Sequence, residues 1–303
     1  MEHFVTLFDS LFLPQGLALY RSMARHVDNF TLWVLCMDDR AHELLAALDY
    51  PEVRLIRLQD VETEQLLALK AERKVNEYCW TLTPMTHRFV FERDASVKRV
   101  TYLDADLWFM ASPQPIFDEL EQAGKSVLIT DHAYSPECDE SAVSGRFCVQ
   151  FMCFYRDRGE RVRQWWEDRV IEWCHDRYED GKFGDQMYLD DWPTRFADDV
   201  HVLQNPQWTL APWNATRFPF DDGIIWHFQA LRLQARSNGR FFADYGSYPF
   251  PKRTLNVVYG RYLQDLRAAI DTMAAGGLPA RGQAKPSLRR LIKGLFTQTG
   301  GWV

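Results

Sequence analysis

Two aspartates one residue apart, Asp104 and Asp106, lie where the run Arg99-Val100-Thr101-Tyr102-Leu103 meets Leu107-Trp108-Phe109-Met110. The β-branched, aromatic and aliphatic residues Val100 to Leu103 read as a buried strand, so both charges fall where that strand emerges. Charges at such a place rarely serve packing. On an extended chain, residues i and i+2 project to one side, which lets both carboxylates face one hard cation, directly or through water. For a D-x-D on its own, a solvated strand end or turn is the plain alternative, and the rest of the chain must decide.

The elements that would position these residues follow from apolar patterning. Phe4 to Phe8 reads as a strand ending at Asp9. A helix opens at Pro14 and carries Leu17, Tyr20 and Met23. Thr31 to Met37 and Val53 to Leu58 read as strands flanking a helix over Arg40 to Leu48. Such alternation predicts an α/β domain built on a mixed, mostly parallel sheet flanked by helices. A helix over about Thr83 to Arg93 feeds the Val100 strand, and Ser126 to Thr130 and Phe147 to Tyr155 are further strands. Glu160 to Tyr178 and Gly184 to Trp192 read as helices, and Ile224 to Phe228 as a late buried strand. Asn256 to Ala275 is an amphipathic helix with Val258, Tyr262, Leu266, Ile270 and Met273 at helical spacing. Ligands of open α/β sheets bind outside the carboxyl ends of the strands, where Asp9, Asp104 and Asp106 fall.

This patterning divides the chain into a main domain over 1–255, a C-terminal helical extension over 256–275, and a basic linker and tail over 276–303, opened by Gly276-Gly277-Leu278-Pro279. The net charge of −7 argues against sequence-independent nucleic-acid binding, which depends on a basic surface. That charge is unevenly placed: Thr272 to Val303 holds no acidic residue but carries Arg281, Lys285, Arg289, Arg290 and Lys293. The stretch Leu288 to Phe296 is basic and amphipathic, as a segment contacting an anionic membrane surface would be. Met1 to Asp9 lacks a basic n-region and a long apolar h-region, and no run approaches the roughly 18 apolar residues of a membrane span. The expected location is cytoplasmic, with peripheral contact at the inner face of a membrane through the tail. The six cysteines form no C-x-x-C pair and read as buried thiols.

There is no G-x-G-x-x-G after a strand, no G-x-x-x-x-G-K-[ST], no G-x-S-x-G and no H-E-x-x-H. An α/β sheet without a glycine phosphate loop must hold a nucleotide some other way. A divalent cation between two aspartates would do so by neutralising a diphosphate.

A hydrophobic strand, Tyr102-Leu103-Asp104-Ala105-Asp106, an aromatic, and the proline-bearing start Ser112 to Pro115 together resemble the metal-binding segment of GT-A-fold glycosyltransferases, in particular family 8. Val5 to Asp9 followed by Leu17 to Ser22 is similar to that family's first strand and helix. Gly184-Asp185-Gln186 resembles its Asp-Gln dipeptide, and Ile225-Trp226-His227-Phe228 resembles the strand that brings in a third metal ligand. The resemblance implies a metal-dependent transfer of a sugar, with retention favoured, from a nucleoside diphosphate, UDP first, to a saccharide, lipid-linked or protein hydroxyl. It implies Asp104, Asp106 and His227 as metal ligands. An imidazole among oxygen ligands favours Mn2+ over Mg2+. Phe8, Asp9, Arg73, Ala105 and Arg232 become candidate donor contacts, and Asp185 and Gln186 candidates beside the reacting carbon. His132, Trp213 and Asn214 become candidate acceptor contacts.

The chain departs from the family where Cys148 and Gln150 replace the usual Asn and Gly, and where His227-Phe228-Gln229-Ala230 replaces H-x-x-G. A haloacid-dehalogenase-like phosphatase is the rival enzyme, because it too places D-x-D after a strand and later shows an acidic pair resembling Asp190-Asp191. Its first aspartates sit near the start of the core and are followed by Thr or Val where this chain has Trp108. A catalytically silent sugar-nucleotide-binding protein is the remaining alternative.

Overall fold

The computed structural model describes residues 1–237 and 239–303. Its first half runs β1 (Glu2–Phe8), α1 (Leu13–His26), β2 (Phe30–Cys36), α2 (Asp39–Leu48), β3 (Val53–Arg57), α3 (Glu64–Glu72), α4 (Val75–Arg93), β4 (Arg99–Leu103) and β5 (Leu107–Phe109). The chain continues with α5 (Gln114–Ala123), β6 (Val127–Asp131), β7 (Phe147–Tyr155), α6 (Arg156–Glu172), β8 (Val200–Val202), β9 (Thr209–Leu210) and β10 (Ile225–His227). It ends in β11 (Arg232–Ala235), β12 (Phe241–Asp244), α7 (Gly260–Ala275), α8 (Leu288–Thr297) and β13 (Gly300–Trp302), with shorter helical turns between.

Seven strands form the central sheet in the order β3-β2-β1-β4-β7-β6-β8. Every pair is parallel except the two made by β7, which runs antiparallel to β4 and to β6. This is the expected mixed, mostly parallel α/β sheet. A parallel strand is covered on both faces and reads as continuous apolar sequence, as all seven buried residues of β2 illustrate. Val5, Leu82, Phe89 and Trp166 pack on one face of the sheet. Phe4, Leu17, Phe117 and Met273 pack on the other. All six cysteines are free thiols, four of them buried. Among the described residues no helix is long and apolar enough to cross a membrane.

Several elements differ from expectation for local reasons. Helix α4 begins at Val75 rather than near Thr83. The Glu77 carboxylate caps its first turn by accepting the Lys74 N–H at 2.9 Å, and also accepts the Asp176 N–H at 2.9 Å. Pro84 therefore lies inside the helix, where its missing donor imitates a start. Helix α6 stops at Glu172, short of Tyr178, because Trp173 turns to extended backbone. Residues 184–192 form no single helix: Gly184 takes a positive φ, a 3-10 turn spans Met187–Asp191, and Pro193 sits in the first turn of a short helix, Trp192–Arg195. A π turn over Leu255–Tyr259 precedes α7.

The stretch expected to be a linker and tail, 276–303, folds back on the domain. Gly276 packs so closely on Leu44 that an added Cβ would lie 2.3 Å from its Cδ1. Gln283 donates to the Leu11 carbonyl at 3.0 Å, and its Oε1 accepts from the Leu233 N–H at 3.0 Å and the Gln15 amide at 2.9 Å. Strand β13 then pairs antiparallel with β12.

Candidate active site

A cleft of about 720 Å³ opens at the carboxyl ends of β1 and β4, in the size range of small-molecule sites. The geometry of its floor begins with a turn. Asp104 to Asp106 is not extended; the Leu107 N–H donates to the Asp104 carbonyl at 3.1 Å, and the chain reverses into β5. The turn, rather than the two-residue strand repeat, brings both carboxylates to one place. β5 pairs antiparallel with β10, with Leu107 opposite His227. The Phe228 N–H donates to the Asp106 carbonyl at 2.9 Å. That pairing lays His227 Nε2 at 3.0 Å from Asp106 Oδ1 and 3.6 Å from Asp104 Oδ2.

One ligand atom from each of Asp104, Asp106 and His227 lies within 4.8 Å of the other two. Two carboxylates and an imidazole converging in this way fit a divalent cation of the borderline-hard kind. The Tyr102 hydroxyl donates to Asp104 Oδ1 at 2.9 Å and orients that carboxylate from behind. Burial and the neighbouring Asp106 raise the Asp104 carboxyl above its usual range. Burial acts the same way on Asp106, but His227 and then Arg232 outweigh it and hold that carboxyl low.

The other proposed residues divide into those that reach the cleft and those that do not. Phe8, Asp9, Ala105, His132, Asp185, Gln186, Trp213 and Arg232 all line it. Asp9 Oδ1 accepts the N–H groups of Leu11 and Phe12 at 2.9 and 3.0 Å, so the residue also shapes the β1–α1 loop. Gly16 leaves room for Phe8: a Cβ there would meet the ring at 2.4 Å. The Arg232 guanidinium lies over the Phe12 ring, 5.4 Å from its centroid. Asp185 is buried, which drives its carboxyl well up, and the charge of Asp104 adds to the effect. The Gln186 amide donates to the Ser144 carbonyl at 2.5 Å.

Arg73 does not reach the cleft. It is buried just ahead of α4, bonded to Thr81 and donating to the Ile171 carbonyl at 2.7 Å, so it ties α4 to α6. Asn214 does not reach it either. Its fully buried amide donates to the carbonyls of His132 and Thr209 at 3.1 and 3.2 Å and accepts the Ala211 N–H at 2.9 Å. Its hydrogen-bonding capacity is spent on the loop that presents Trp213. Asp190, of the acidic pair that a phosphatase would use, accepts the Arg146 N–H at 2.8 Å, Asp191 pairs with Arg195 at 2.6 Å, and neither lines the cleft.

Sequence reasoning missed several wall residues. Trp80, on α4, packs under Gly184, and Tyr134 stacks on His132 with ring centroids 4.7 Å apart. Trp80 lies on α4 ahead of Thr83, outside the helix that the apolar pattern indicates, so no sequence signal placed it on the wall. Trp213 meets His132 at 5.0 Å and His227 at 5.4 Å, both edge-on. Cys148 lies on the same wall: burial would raise its thiol, but His132 and then His227 pull it down to about 7. Gln150, the other departure, is fully buried and does not line the cleft. Ala230, where the resemblance led to a glycine, holds the left-handed backbone that glycine favours, at φ +69°.

No family model matches the sequence. The chain is 32% identical to the uncharacterized protein YfnF of Bacillus subtilis over 73% of its own length and 78% of that protein's. It is 30% identical to the uncharacterized protein YfnD of the same organism over 89% and 90%. Among solved structures it resembles the galactosyltransferase LgtC in complex with donor and acceptor sugar analogues, at a TM-score of 0.54 and 13% identity, covering 88% of this chain and 95% of that one. At that identity the likeness is one of fold, the GT-A arrangement of glycosyltransferases.

Proposed function

The chain belongs to the family of the Bacillus subtilis proteins YfnF and YfnD, and on that premise and its GT-A fold we propose that it is a metal-dependent glycosyltransferase. The donor is a nucleoside-diphosphate sugar, UDP-linked by preference, and the acceptor is a hydroxyl of a saccharide, lipid-linked sugar or protein. The observation that carries the reading is the convergence of Asp104, Asp106 and His227 at the carboxyl end of β4, in the cleft that Asp9 also lines. A divalent cation held there, Mn2+ before Mg2+, would supply charge neutralisation for the diphosphate as it leaves.

The chain's own groups account for the remaining steps. The loop Asp9 to Phe12 borders the space for the nucleoside. Arg232, already among the cleft residues and braced on Phe12, adds positive charge for the diphosphate. Trp213, His132 and Tyr134 offer aromatic faces and edges to a sugar. Transfer breaks the bond between the anomeric carbon and the diphosphate oxygen and forms one to the acceptor oxygen. The acceptor's proton passes to the leaving phosphate. Asp185 and Gln186, which line the cleft, are assigned to the side of the reacting carbon, where the Gln186 amide oxygen and the Asp185 carboxylate, ionised once a cation offsets the charge of Asp104, would stabilise the developing positive charge. Retention is the favoured stereochemical course, by the resemblance of Gly184-Asp185-Gln186 to the family 8 dipeptide.

The experiment is release of nucleoside diphosphate from a panel of sugar nucleotides with Mn2+, for the wild type and Asp106→Ala. Turnover of one donor that Asp106→Ala abolishes is expected. Metal-dependent binding of a sugar nucleotide without turnover on any acceptor would favour the silent binder. Release of inorganic phosphate from phosphomonoesters would favour the phosphatase.

A further inference from the structure

Helix α8 is amphipathic the wrong way round for a helix that packs on its own domain. A surface helix ordinarily turns its large apolar residues to the core. Here the inward side is small: Gly294 is buried on Phe242, where a Cβ would meet the ring at 2.9 Å, and Leu291 is half-buried beside it. The large side chains face out. Leu288, Ile292, Leu295 and Phe296 are 68, 47, 48 and 86% exposed, and at spacings of four, three and one residue they share one face of the helix. Ser287 caps the helix, its hydroxyl accepting the Arg290 N–H at 3.3 Å. The helix is therefore an element with an uncovered apolar face.

Charge says what covers it. Arg289 and Lys293 follow the apolar face around the helix and are exposed. Arg290, on the next side, pairs with Asp244 at 3.1 Å. No acidic residue occurs from Thr272 to Val303, although the whole chain is net acidic. An apolar strip bordered by lysine and arginine matches the boundary between anionic headgroups and acyl chains. We infer that α8 is an interfacial helix that seats this face of the protein on an anionic lipid surface.

The seat is rigidly joined to the cleft. The segment leading into α8 carries Gln283, bonded to Leu11 and Leu233, and Arg281, whose guanidinium donates to the Ser10 hydroxyl at 2.9 Å. Leu11 lines the cleft, and Leu233 follows Arg232, which also does. A surface bound through α8 therefore lies at a set distance from the cleft instead of at the end of a loose tether.

Co-sedimentation of the full chain with vesicles tests the inference without any sugar nucleotide, so its outcome is separate from that of the proposed transfer. The vesicles are phosphatidylcholine alone or phosphatidylcholine with phosphatidylglycerol, at low and high salt. Binding to the anionic vesicles that weakens with salt is expected. Ile292→Glu with Phe296→Glu should abolish it. Arg289→Ala with Lys293→Ala, which leaves the apolar face intact, should lower it by about fivefold for each charge removed. Unchanged thermal melting of both double variants guards against misfolding. Equal binding to neutral vesicles, no binding to anionic ones, or binding that survives both variants would overturn the inference. So would a lipid-free dimer that Ile292→Glu with Phe296→Glu dissociates.

Discussion

The imidazole of His227 and the carboxylate of Asp106, 121 residues apart in the chain, meet at 3.0 Å because β5 and β10 pair antiparallel. His227→Ala should lower the affinity for Mn2+ by at least tenfold, read by titration calorimetry. In metal-free protein it should also cost about 1–3 kcal/mol of stability, because a buried partner of Asp106 is lost. Unchanged Mn2+ affinity would remove His227 from the ligand set.

Gln283 should act as a positioning residue for the donor loop. It links the Leu11 carbonyl to the Leu233 N–H, so Gln283→Ala frees the loop that Asp9 and Phe12 belong to. The expected result is a KM for sugar nucleotide raised several-fold with kcat little changed, and a stability loss of about 1–2 kcal/mol. A purely structural role would lower stability without moving KM.

Ala230→Gly should stabilise the protein slightly. Relief of a left-handed alanine is worth about 1–2 kcal/mol, against roughly 0.4–1 kcal/mol for the extra freedom that glycine brings to the unfolded chain. A rise in Tm of a few degrees is expected by differential scanning fluorimetry. A fall would mean that the loop after His227 depends on the alanine methyl.

His87 makes the fold sensitive to acid. It is fully buried against Phe154, at 4.5 Å between ring centroids, and burial, with the charge of Arg163, pushes its pKa down to about 3. The unfolded chain binds this proton near pH 6.5 and the folded one only near pH 3. Stability is therefore fully present above pH 6.5 and lost, by about 1.4 kcal/mol per pH unit from this group, as pH falls toward 3. His87→Phe should flatten urea-midpoint stability between pH 6 and about pH 4 relative to the wild type. An equal slope in both proteins would contradict this.

How much of this was legible in the sequence depended on the range of the forces involved. Strand β7 runs from Phe147 to Tyr155 as its apolar pattern indicates, because a buried strand writes burial into every residue. Asp104 and Asp106 were legible as a pair at a strand end, but the turn that joins them was not: it follows from the pairing of β5 with β10. Arg73 and Asn214 read as ligand contacts because polar residues near a motif look available. Partners distant in sequence, Ile171 for Arg73 and His132 for Asn214, had already taken their hydrogen bonds. The packing of 276–303 was hidden for the same reason, since Gln283 meets its partner Leu11 from the opposite end of the chain.

The most direct test of the central claim is a thermal-shift panel of UDP, GDP, CMP and ADP sugars, each with and without Mn2+, on the wild type and on Asp106→Ala. A sugar nucleotide held by Asp104, Asp106 and His227 through a cation should raise the wild-type Tm beyond the shift that Mn2+ alone gives, and should not do so without Mn2+, because ligand binding to the folded state stabilises it by mass action. Asp106→Ala should lose that shift. No Mn2+-dependent stabilisation by any donor, or an equal shift in Asp106→Ala, would contradict the account.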